Sequence, residues 1–185
     1  MKKITQKEQE LLENEYVLAI NDVLHAVIAG SFSKSKMNAT TKKRIKELVK
    51  NLDEKNEKLN ELYLKKSYML LQSWFKDTDV DAFTFEFNYN DEDILLLEYD
   101  LFRKSGQKDE SGEDLFEAGI INEVFEQRLE SRTDDEDKVL IKIFNASIYD
   151  EIIIEKNQTY ESFKEKFDLT QSVRFELLVN LDDFR

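Results

Sequence analysis

Between Asp79 and Phe102 the chain alternates so regularly that an extended conformation is the one that fits. Phe83, Phe85, Phe87 and Tyr89 fall at every second position, with Thr84, Glu86 and Asn88 between them. Period two sends all four rings to one side of a strand. Asn90, Asp91, Glu92 and Asp93 then supply turn-forming residues. Beyond them Leu95, Leu97, Tyr99 and Leu101 share one face, and Leu96, Glu98 and Asp100 the other. Two such runs about a polar turn predict a β-hairpin with one apolar side. That side needs a cover from elsewhere in the chain.

The residues before the hairpin carry helical spacing instead. Leu12, Tyr16, Ile20, Val23, Leu24 and Val27 form a stripe over 5–28, and Thr5 with Glu8 fits a capping box. Gly30 and the polar residues to Lys36 are expected to stop that helix. Asn38 or Thr40 can cap a second helix reaching to about Phe75. Its seam of Ile45, Leu48, Leu52, Leu59, Leu62 and Met69 is interrupted at Lys55 and Lys66. About 36 residues of helix would span roughly 54 Å. The apolar cluster Tyr68 to Phe75, with Trp74, is expected to plug into the aromatic side of the hairpin.

After the hairpin, Arg103 to Glu113 reads as a loop and Glu113 to about Glu130 as a helix. Ser131 to Lys138 reads as an acidic turn. Val139–Phe144 and Ile148–Glu155 read as strands, Gln158–Asp168 as a short helix and Val173–Val179 as a last strand. The expected fold is α+β, with an N-terminal helical hairpin holding one long helix. A mostly antiparallel sheet of about five strands with two helices follows.

Charge divides the chain at the same place as pattern. Residues 1–76 hold 15 Lys and Arg against 10 Asp and Glu, a net of +5; residues 77–185 hold 12 against 30, a net of −18. The expected organisation is a mildly basic hairpin at 1–76 and an acidic sheet domain at 77–185, or one continuous fold. With 41% hydrophobic residues the chain is not a disordered polyelectrolyte. No run reaches the roughly 18 to 20 apolar residues of a membrane span, and Met1 to Glu8 lacks a signal core. A cytoplasmic address is expected.

The chemistry available is narrow. With no cysteine, disulfides, thiolate nucleophiles and thiolate metal sites are excluded. The four glycines form no phosphate-binding loop. His25, the single histidine, has no evident orienting partner in its helix. Asp134, Asp135, Glu136 and Asp137 stand in a row but lack the alternation, glycine and closing glutamate of an EF-hand. Glu98 and Asp100 share a strand face and could hold Mg²⁺, or simply face solvent from an edge strand. The expectation is a chain with no catalytic centre, no cofactor and no metal.

What remains is binding by charge. Carboxylates spread over a compact body can imitate phosphates and occupy the basic groove of a nuclease or a restriction or CRISPR-type effector. An immunity protein or antitoxin capping one toxin uses similar physics. An adaptor dimerising through the long helix belongs to a different class, and acidity for solubility alone is the plain alternative. The expected partner-binding residues are Asp91, Glu92, Asp93, Glu98, Asp100, Asp134, Asp135, Glu136 and Asp137. Lys42, Lys43 and Arg44 would serve if nucleic acid binds directly.

Overall fold

A computed structural model describes residues 4–31, 37–89, 95–144, 146–149, 151–169 and 184. Helices α1 (Gln6–Ser31) and α2 (Ala39–Trp74) come first. Strands β1 (Ala82–Tyr89), β2 (Leu95–Lys108) and β3 (Asp114–Ala118) follow, then helices α3 (Glu123–Glu130) and α4 (Asp134–Phe144). Strand β4 (Ile152–Glu155) and helix α5 (Tyr160–Lys164) complete the described elements. The result is an α+β fold whose sheet has the order β3-β2-β1-β4, every neighbouring pair antiparallel. The chain forms two compact units, Met1–Leu62 with Leu169–Arg185, and Tyr63–Asp168. No helix among the described residues is long and apolar enough to cross a membrane.

In the first unit both helices start as their sequences dictate. Thr5 Oγ1 accepts from the Glu8 amide at 3.2 Å while Glu8 Oε2 accepts from the Thr5 amide at 2.8 Å, a reciprocal capping box. Asn38 Oδ1 caps α2 by accepting from the Thr41 amide at 2.8 Å. Ala19, Val23 and Val27 of α1 are buried in one cluster with Ile45, Val49 and Leu52 of α2 and with Phe184. One interruption of the α2 seam has a partner: Lys55 Nζ lies 2.5 Å from Glu15 Oε2 of α1. Asn60, also buried, donates to the Leu169 carbonyl at 3.2 Å. The polar residues within α2 therefore tie the helix to what packs on it.

In the second unit the hairpin register places Phe83 opposite Leu101 and Phe85 opposite Tyr99. The rings of Phe83 and Phe85 are fully buried. Trp74, at the end of α2, stacks on Phe83 with ring centroids 6.2 Å apart and meets Phe85 edge-on at 5.4 Å. Phe125 of α3 closes the same cluster, 4.9 Å from Phe83. The expected plugging of the hairpin by Trp74 is what the structure shows. Behind it Val139, Leu140 and Ile143 of α4 and Phe163 and Phe167 around α5 complete the core.

The sequence reading needs correction after Asp100. Only the second half of 103–113 is a loop: β2 continues to Lys108, and 109–113 form the turn to β3, where Gly112 has a φ of 89° that suits glycine. The helix expected from Glu113 starts only at Glu123, because 114–118 pairs with β2 as β3. The strand expected at 139–144 is the second half of α4. The acidic turn before it is the first turn of that helix, where the carboxylates meet the positive end of the helix dipole favourably. The strand expected at 148–155 shortens to Ile152–Glu155. Four strands rather than five, and three short helices rather than two, follow α2 among the described residues. The strand expected at 173–179 lies outside them, as do Asp91, Glu92 and Asp93.

Candidate protein-binding surface

The alternation that buries Phe83 and Phe85 sends their neighbours to the opposite face of the sheet. Glu86 of β1 stands directly across from Glu98 of β2, and Thr84 across from Asp100. Glu86, Glu98 and Asp100 are exposed, whereas Thr84 is buried. Thr84 Oγ1 accepts from the Asp100 amide at 3.3 Å, which fastens the strand beneath the acids. None of these three carboxylates is joined to a basic side chain among the described residues. Like charges directly opposite on neighbouring strands destabilise a sheet, by roughly 0.2–1 kcal/mol per pair. The Glu86–Glu98 pair therefore carries a local cost.

The rest of the open face is less acidic. Ile153 of β4, across from Thr84, is 51% exposed. Phe102 and Phe116 meet edge-on with centroids 6.5 Å apart. Lys104 Nζ lies 5.9 Å from the Phe116 centroid and 2.5 Å from Asp114 Oδ2. Lys108 Nζ reaches the other Asp114 oxygen at 3.2 Å. These hydrogen bonds hold the Asp114 carboxyl below its usual range, and that carboxyl raises Lys104 above its own. One end of the face thus presents unpaired carboxylates, while the other holds neutralised charge over aromatic rings.

The sheet's outer edges differ too. At β4 the backbone carbonyls have side-chain donors: Gln72 Nε2 gives a hydrogen bond of 2.7 Å to Glu155, and the Lys166 ammonium donates to Ile153. At β3, Leu115 and Phe116 are exposed at 41% and 37%.

The acids of α4 divide into two pairs. Glu136 binds Arg128, with Arg128 Nη2 at 2.5 Å from Oε1, and Arg128 itself lies over the Trp74 ring at 5.4 Å. Glu136 Oε2 also accepts from the Thr133 amide at 3.0 Å while Thr133 Oγ1 accepts from the Glu136 amide, so this residue caps its own helix. Asp137 Oδ1 accepts from Arg132 Nε at 2.6 Å. Asp134 and Asp135 are exposed, and Asp135 lies 3.5 Å from Lys138. Of the acids named from the sequence, Glu98 and Asp100 come together on one surface, Asp134 and Asp135 stand on another element, and Glu136 and Asp137 are engaged internally.

Glu86 was not anticipated as part of this surface. Its signal was present: a hairpin closing over residues 90–94 pairs Tyr89 with Leu95, and counting back sets Glu86 across from Glu98. Ile153 carried no comparable signal, because β4 reaches β1 through tertiary contact alone. Lys42, Lys43 and Arg44 are exposed in the first turns of α2, where Lys43 lies 4.0 Å from Glu47. His25 is exposed on α1. No group of three metal-ligating side chains assembles among the described residues. Comparison with protein-family models, curated proteins and solved structures finds no match to this chain.

Proposed function

We propose that this chain is a non-enzymatic inhibitor that binds a basic protein partner in the cytoplasm. Its carboxylates stand in for the phosphates of a nucleic acid, and the partner is a nucleic-acid-processing or defence enzyme of the restriction or CRISPR-type class. The observation that carries the reading is the facing pair Glu86 and Glu98 with Asp100 beside it, exposed and joined to no basic side chain among the described residues. A sheet bears such a repulsive ladder at some cost to its own stability. A basic groove would turn that cost into attraction by releasing its counterions. The net charge of −13 adds long-range steering toward such a groove.

The test is affinity capture from the native host, after nuclease treatment and with washes of rising salt. The wild-type chain should retain one basic nucleic-acid enzyme, shed as salt increases. The triple variant Glu86→Gln/Glu98→Gln/Asp100→Asn should lose it at low salt. Retention of a small toxin through high salt would replace this reading with an immunity protein. Recovery of nucleic acid alone would move the function to Lys42, Lys43 and Arg44.

A further inference from the structure

We draw no further inference here: the strongest candidate, the outer edge of strand β3 with Leu115 and Phe116 exposed, carries nothing, because the strand expected at 173–179 lies outside the described residues and nothing among them shows what covers that edge.

Discussion

The two faces of the sheet are built from the same strands by alternate residues, yet they obey opposite economies. On the covered face Phe83 and Phe85 are buried among Trp74, Phe125 and Leu101, and each ring touches several others. On the open face Glu86 stands against Glu98, and neither is joined to a basic side chain among the described residues. The covered face is where apolar area is removed from water, so it carries the stability. The open face is therefore released from that duty and can hold a charge arrangement that folding alone would not favour. The difference teaches that a repulsive ladder in this sheet is tolerated because stabilisation is concentrated one residue away.

The sharpest way to break this contrast is to damage the covered face. Phe83→Ala should cost about 3–5 kcal/mol, the range for emptying a buried aromatic site. Urea unfolding should show a lowered midpoint with cooperative loss of the aromatic circular dichroism signal. If Phe83→Ala costs no more than a surface substitution, stability does not reside in that cluster and the contrast fails.

A smaller effect belongs to the bridge between α3 and α4. Arg128→Ala removes a pair to the carboxylate of Glu136 and a cation over Trp74, together worth roughly 1–2 kcal/mol at this degree of exposure. Thr133→Ala removes the reciprocal cap of α4 and should cost about 1 kcal/mol. Both are read by the same unfolding experiment. Asp134→Asn should have little effect on stability, since Asp134 is exposed and the cap is made by Thr133 and Glu136.

The open face should respond in the opposite direction. Glu98→Gln removes the like-charge pair with Glu86 and should stabilise the chain by up to about 1 kcal/mol. Adding salt to the wild type should recover part of that gain by screening. A destabilised Glu98→Gln variant would mean that Glu98 makes a favourable contact, which removes the argument for a functional cost.

Much of this architecture was readable before the structure, and the failures have a common physical origin. The hairpin, the Thr5–Glu8 and Asn38 caps, the length of α2 and the role of Trp74 all depend on local signals: periodicity, capping chemistry and a dense apolar helix end. Residues 103–118 have no such signal. Arg103 to Lys108 is polar, and it is extended because it continues a strand already paired with β1 and receives β3 on its other side. Residues 139–144 mislead for a different reason. A short run with five apolar residues in six, broken only by Lys142, fits a buried strand or one side of a helix equally well. The deciding information lay upstream, in Thr133 and Glu136 at capping-box spacing and in the acids of a helix first turn. On the open face, Glu98 and Asp100 were recognisable as neighbours because they share one strand. Glu86 and Ile153 join them across strands, and a pattern within a single strand does not report what lies beside it.

The smallest expected effect tests the neutralised end of the same face. Lys104 and Asp114 shift in directions that agree, the lysine upward and the carboxyl downward, so each stabilises the other's charged form. For Asp114 the contribution is complete above the ordinary carboxyl value of 3.8 and is lost as pH falls through the lower folded value. For Lys104 it is complete below the ordinary value of 10.5 and is lost as pH rises through the higher folded one. The β2–β3 pairing should accordingly be tightest between those limits and loosen on both sides. Amide exchange at Phe116, which pairs with Lys104, should show a plateau of protection across neutral pH after correction for intrinsic exchange. Lys104→Met should lower protection at neutral pH and abolish its alkaline edge, since methionine does not titrate, while leaving the β1–β2 amides near Phe85 unaltered. If those amides lose protection equally, the two ends of the sheet are one cooperative unit, and the acidic end owes its tolerance of repulsion to the whole sheet rather than to the aromatic face alone.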